Sequence, residues 1–325
     1  MKIFTTLLTI LLVLLGTAAA VQAEPLISPA WLAKNKHRPE TVIIDLRNKI
    51  DGGSYETYLQ GHIPGAIHSD YLQDGWRVTR DGIVGLLPEA EAFEALARRL
   101  GVSADSHVVL VPAGVSATDF GTAARAYWSF KIFGHDRVSI LDGGQAAWQQ
   151  QYPDQLATGA EIAPQRGDFT ARFRPQGHIS GAAVAKLLAE DGKAVLKDGR
   201  TEAQFAGEEK HPKSAAAGRI PGAMLLSQAE AYDGGANRLK PAGELAKIYS
   251  AAAAGDAAAE IISYCNTGHW AATNWFVLSE VLGYDNVRLY DGSMVEWTAN
   301  ADNPLATGHS NLDRIKRFLR GIGLL

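Results

Sequence analysis

The chain states its main motifs twice. GHIPGA, at Gly61 to Ala66, returns as GRIPGA at Gly218 to Ala223. FGHDRVSILDGGQAAW (Phe133 to Trp148) returns as LGYDNVRLYDGSMVEW (Leu282 to Trp297), sharing its Gly, Asp, Val, Asp-Gly and Trp positions without a gap. A shorter pair, VIIDLR (Val42 to Arg47) and AVLKDGR (Ala194 to Arg200), precedes the Ile-Pro-Gly-Ala turn in each half. The same motifs in the same order mean two copies of one domain.

Each copy alternates strands and helices. A short apolar strand ends at Asp45 or Asp198, and a loop with Ile-Pro-Gly-Ala follows. The spacing then predicts a helix such as Pro88 to Val102, and a buried strand at His107 to Val111 or Glu260 to Tyr264. A second helix covers Ala124 to Gly134 or Ala271 to Gly283, and a last strand ends in Asp-Gly. Continuous apolar strands between helices predict an α/β fold: two open parallel sheets, each with helices on both faces. The expected division is an N-terminal domain over 24–151, a Pro-, Gly-, Gln- and Thr-rich linker over 152–172, a C-terminal domain over 173–308 and a tail over 309–325.

Residues 1–23 form a different kind of segment. Lys2, an apolar run from Ile3 to Leu15 and the small residues of Val21-Gln22-Ala23 predict a secretory signal cut after Ala23, hence an exported, periplasmic protein. The run is short for a membrane span. A net charge of -4 without a long basic run argues against a nucleic-acid partner. DRIKRFLRGIGLL, Asp313 to Leu325, is basic and apolar at helical spacing and is expected to dock back on the domain rather than lie on a membrane.

The chain holds 1 cysteine, Cys265, between a buried strand and a helical pattern. Sites in open α/β sheets form at the carboxyl ends of strands. A short loop entering a helix turns backbone N–H groups inward, and the positive helix end favours an anion there. A cysteine in such a place commonly has its pKa lowered to about 3.5–7.5. Gly268 lets the loop curl, and Thr267 offers a hydroxyl. Cys265 is therefore the candidate nucleophile, against the alternative of a buried structural thiol.

These motifs together, Asp-x-Arg at a strand end, G-x-I-P-G-A, C-x-x-G-x-x-A and the closing D-G-x-x-x-W, resemble the tandem rhodanese family of sulfurtransferases over nearly all of the chain beyond the leader. The resemblance implies a catalytic C-terminal domain and a degenerate N-terminal copy. After His107–Val111 the first half reads PAGVSATDFG, so Pro112, Ala113 or Ser116 takes the nucleophile's place, depending on the gap. It also implies a ping-pong reaction without a metal or organic cofactor. A small anionic donor, thiosulfate or 3-mercaptopyruvate, leaves sulfur on Cys265, and cyanide, a thiol or a protein removes it. Asn266, Thr267, Gly268, His269, Trp270 and Ala271 then form the cup around the persulfide. The resemblance also implies that Arg200 binds the donor, with a structural pair to Asp198 or another acid as the alternative; that Asp198 organises the loop; and that Arg219 lines the rim or stands as a solvated loop charge. His269 is a candidate to carry charge or to hydrogen-bond a leaving sulfite.

The chain departs from the family's patterns at Asn266 and Thr267, where thiosulfate-type members carry basic residues. Mercaptopyruvate-type members read C-G-S/T-G-V/T-T, which Asn266, His269 and Trp270 break, and carry arginine where Gln204 stands. Two other readings use the same thiolate: an exported sulfur- or partner-binding module with little turnover, and a phosphatase or arsenate reductase. The latter needs an arginine six residues after the cysteine, where Ala271 stands.

Overall fold

The computed structural model describes residues 23–162, 164–190, 194–250 and 260–308. All but the last residue of the expected signal, and the whole expected tail, lie outside the described residues.

The N-terminal domain runs β1 (Leu26–Ile27), α1 (Pro29–Asn35), β2 (Thr41–Asp45), α2 (Tyr55–Gln60), β3 (Ala66–His68), β4 (Val78–Arg80), β5 (Ile83–Leu86), α3 (Ala90–Arg99), β6 (His107–Val111), α4 (Ala117–Ile132), β7 (Val138–Leu141) and α5 (Gly144–Gln151). Five strands pair in the order β1-β7-β6-β2-β3, all parallel. The short β4 and β5 form an antiparallel hairpin outside that sheet. Successive residues of a strand face opposite sides, so one apolar run feeds two cores. Val108 and Leu110 pack in one cluster, and Val109 and Val111 in the other.

The C-terminal domain runs α6 (Gly181–Ala189), β8 (Val195–Asp198), α7 (Glu202–Ala206), β9 (Met224–Leu225), β10 (Tyr232–Asp233), β11 (Arg238–Leu239), α8 (Ala242–Ser250), β12 (Ile261–Tyr264), α9 (His269–Phe276), β13 (Val287–Leu289) and α10 (Ser293–Ala299). Its parallel sheet has the order β13-β12-β8-β9. His178 bridges to Leu289 in parallel, where β1 lies beside β7 in the first copy. Both repeats close alike: Trp148 Nε1 donates to the Gln155 carbonyl and Trp297 Nε1 to the Pro304 carbonyl, each at 3.0 Å.

The segment expected as a linker is packed rather than loose. Ala157 pairs with His62 as Ala306 pairs with Arg219, so the stretch after Trp148 completes the first domain. Further on, Phe169 is buried, and the Gly167 amide donates to the Arg98 carbonyl. The two domains also share a core. Helices α4 and α9 pack against each other, with Phe276 at 5.8 Å from Phe120 and 4.9 Å edge-on to Tyr127. The helix that follows the cysteine is thus seated on the domain that lacks one.

Candidate active site

Strand β12 ends at Tyr264, and α9 begins at His269, two residues earlier than the periodicity predicts. That leaves a loop of Cys265, Asn266, Thr267 and Gly268. Gly268 is the helix N-cap at φ +69°, and a Cβ there would lie 2.3 Å from Arg125 Nη1 and 2.7 Å from Asp291 Cα. The turn therefore needs glycine both for its backbone angle and for its neighbours.

The closing Asp-Gly motif fastens this loop from below. Ser293, at φ +50°, accepts from the amides of Cys265 (3.0 Å) and Gly268 (3.1 Å) and donates to the Tyr290 carbonyl. The amides of Met294 and Val295 donate to the carbonyls of Cys265 and Asn266. His269, Trp270 and Ala271 open the helix, where amides have no partner within it. Among the described residues, no acceptor engages these three amides or those of Asn266 and Thr267. Five donors without an acceptor, in the loop that carries the thiol and the first turn that follows it, suit an anion bound beside it.

The first copy shows the same loop occupied. The Gln145 and Ala146 amides donate to the carbonyls of Pro112 and Ala113, as those of Met294 and Val295 do to Cys265 and Asn266. Pro112 therefore stands where the cysteine stands, which resolves the alternatives left by the sequence. The amides of Ala113 (3.0 Å), Gly114 (2.6 Å) and Val115 (3.1 Å) converge on the carboxylate of Asp119, itself 1% exposed. The degenerate cup has been filled with an anion of its own.

Cys265 is 1% exposed and meets solvent through a cavity of about 230 Å3. Asn266, Thr267, His269 and Trp270 line it from the loop, Gln204 and His211 from the same domain, and Ile50, Arg77 and Thr118 from the other. A larger cavity of about 440 Å3 lies at the domain seam by Phe173 and His178, but it lacks the nucleophile. Two departures from the family pattern meet here: Asn266 Nδ2 donates to Gln204 Oε1 at 3.0 Å.

Several expected roles are corrected. Arg200 does not reach the cavity. It is 2% exposed, forks onto Asp198 through Nε and Nη2, and donates to the Gly218 carbonyl. Arg47 does the same with Asp45 and the Gly61 carbonyl in the domain without a cysteine. A pair kept in both copies braces the strand end against the Ile-Pro-Gly-Ala turn. Arg219 is also engaged away from the cavity, donating to the Phe205 and Gly308 carbonyls over the Phe205 ring.

His269 is neutral rather than charged. Burial first, and the Arg77 charge second, push it down to about 3. Nε2 lies 2.8 Å from the Thr118 carbonyl, which can only accept, so Nε2 carries the proton and Nδ1 accepts from the Tyr71 hydroxyl at 3.0 Å. Trp270 donates from Nε1 to Thr118 Oγ1. Both side chains of the loop thus hold the other domain. Ala271 is buried, and its carbonyl accepts from Ser263.

The first domain presses on the loop at further points, none visible as a motif. Gly85, at φ +89°, lies so close to Thr267 that a Cβ would come within 2.8 Å of its carbonyl oxygen. The Leu87 amide donates to Asp291 at 2.6 Å. Arg125, 1% exposed, donates to the Gly85 carbonyl and pairs with Asp291 at 3.5 Å. Burial alone would raise the Asp291 carboxyl. His178, Arg125 and the Leu87 amide outweigh it and hold the group below the usual carboxylate range.

A family model, the rhodanese-like domain, matches residues 28–151 and 180–300. The chain belongs to the rhodanese family. Relatives of the whole chain are similar in sequence. The 3-mercaptopyruvate sulfurtransferase of Escherichia coli is 34% identical over 282 residues, 85% of this chain and 95% of that protein. The thiosulfate sulfurtransferase of Corynebacterium glutamicum is 31% identical over 299 residues, 90% and 93% of the two chains. The crystal structure of the 3-mercaptopyruvate sulfotransferase SseA from E. coli aligns with a TM-score of 0.69 at 31% identity, covering 83% of this chain and 99% of that one. The doubled α/β rhodanese fold is thereby established.

Proposed function

We propose that this protein is a sulfurtransferase that passes one sulfane sulfur from a thiosulfate- or 3-mercaptopyruvate-type donor to a thiophilic acceptor through Cys265. The Cys265 thiolate attacks the outer sulfur of thiosulfate. A new S–S bond forms, the old one breaks, and sulfite leaves with the bonding pair. With mercaptopyruvate the C–S pair passes to carbon, and the enolate takes a proton to give pyruvate. The persulfide anion rests against the amides of Asn266, Thr267, His269, Trp270 and Ala271. An acceptor, cyanide or a thiolate, then attacks its outer sulfur and restores the Cys265 thiolate. Splitting one transfer into two displacements is covalent catalysis, with the amides stabilising charge on sulfur.

The observation that carries this reading is the set of uncommitted amides in the loop and helix start that follow the chain's lone thiol, where the twin loop of the other domain binds a carboxylate. The relatives' printed activities support the same chemistry. The test is thiocyanate formation from cyanide with each donor. Turnover with at least one, abolished in Cys265→Ser, supports the proposal. No turnover with either, or phosphate release from a phosphate monoester, contradicts it. The signal-like leader, Lys2 through Ala23, supports a further proposal of export to the periplasm. Edman sequencing of protein secreted by its host should begin at Glu24.

A further inference from the structure

The cavity in front of Cys265 must take an anion, yet the cations that the motifs of its own domain offer are spent elsewhere. Arg200 is locked to Asp198, and Arg219 to two carbonyls. Burial first, and the nearby Arg77 charge second, push both cavity imidazoles, His211 and His269, down from their ordinary value. Among the lining residues this leaves one arginine and no lysine. That arginine, Arg77, comes from the other domain. Its neighbour Trp76 is buried and tied by Nε1 to Ser69, so the chain is anchored just before Arg77, the residue that precedes β4. The guanidinium lies against the Tyr71 ring, 5.6 Å from its centroid, and no hydrogen bond or ion pair holds it among the described residues. An arginine fork beside a small cavity suits a planar carboxylate or a sulfonate face.

We propose that Arg77, carried by the domain without a cysteine, binds the charged head group of the sulfur donor. The donor is then a small molecule with a sulfonate or carboxylate close to its transferable sulfur. The degenerate domain supplies donor recognition, and the C-terminal domain supplies the nucleophile and the amide cup. This deepens the sulfurtransferase reading and rests on it for the donor's identity.

The test separates the two claims. Cys265 is the chain's only thiol, so alkylation reports on it alone. Its rate is measured with iodoacetate, which is anionic, and with iodoacetamide, which is neutral and of similar size. Both reactions form an S–C bond and expel iodide. Arg77→Gln should lower the iodoacetate rate about tenfold, the equivalent of about 1.4 kcal/mol, and leave the iodoacetamide rate within about twofold. Arg77→Lys should recover part of the loss. KM for the active donor should rise with kcat little changed. Equal effects on both reagents, or none, would overturn the proposal. In the unaltered protein, a wild-type iodoacetate advantage that salt does not diminish would overturn it too. If no donor is ever turned over, the alkylation ratio still decides whether Arg77 recruits anions, while the sulfurtransferase reading fails separately.

Discussion

Replacing Asp119 by alanine should unstopper the degenerate cup. Three amides donate to this carboxylate at 3.0, 2.6 and 3.1 Å, and nothing else in the loop offers them an acceptor. Hydrogen bonds to a charged group contribute about 1.5–3 kcal/mol each, but here they do not add in full. Burial pushes the Asp119 carboxyl up from its ordinary range, and the three amides only partly pull it back, so desolvation cancels much of their gain. Water can also enter the space the side chain leaves. The net loss should be about 2–4 kcal/mol of unfolding free energy at neutral pH. The Ser116 cap of α4 uses the Asp119 amide and survives the substitution. Urea unfolding followed by fluorescence measures the loss. Repeating it in sulfate against an equal ionic strength of chloride measures rescue, which should be larger in Asp119→Ala than in the parent. A variant within about 0.5 kcal/mol of the parent, with no preferential rescue by sulfate, would refute the idea that this loop is built to hold an anion.

Three other perturbations probe the catalytic side. Gly268→Ala forces a left-handed residue against Asp291 backbone atoms, which should cost about 2–4 kcal/mol and lower sulfur transfer about a hundredfold, read by urea unfolding and single-turnover assays. His269→Gln tests the neutral imidazole. The native ring stays unprotonated from 6.5 down to about 3, while the unfolded chain takes up the proton. Its stability contribution is therefore complete above pH 6.5 and is lost as pH falls. The stability gap between parent and His269→Gln should accordingly narrow by about 1.4 kcal/mol between pH 7.5 and 5.5. Arg200→Gln and Arg47→Gln each strand a buried carboxylate and should lose similar stability, about 3–5 kcal/mol, without a selective rise in KM in Arg200→Gln. A raised KM in a stably folded Arg200→Gln would return that residue to the donor site.

What the sequence showed, and what it hid, divides by range. The strands, the closing tryptophans and the cysteine loop announced themselves through local patterning, because each is fixed by burial or by a turn within a few residues. Periodicity places the start of α9 two residues late, because Gly268 caps the helix through a left-handed angle that no periodicity records. The β4–β5 hairpin turns at Asp81 and Gly82, both left-handed, but its strands are too short to alternate visibly. The Asp-x-Arg motif leaves Arg200 between donor binding and a structural pair, and its twin in the domain without a cysteine, Arg47, shows the pair bracing a strand end. The contributions of Tyr71, Arg77, Thr118 and Arg125 had no local signal. Tyr71 meets His269 across 198 positions of chain, and Arg125 meets Asp291 across 166.

The most direct measurement weighs the protein itself. Mature protein, reduced and then freed of reductant, is mixed with a slight excess of thiosulfate, and separately with 3-mercaptopyruvate. Intact and peptide mass spectra follow under non-reducing conditions. A gain of one sulfur atom on the Cys265 peptide with at least one donor, erased by cyanide as thiocyanate appears and absent in Cys265→Ser, is the predicted result. An unchanged mass with both donors, or sulfur transfer that persists in Cys265→Ser, would contradict the account.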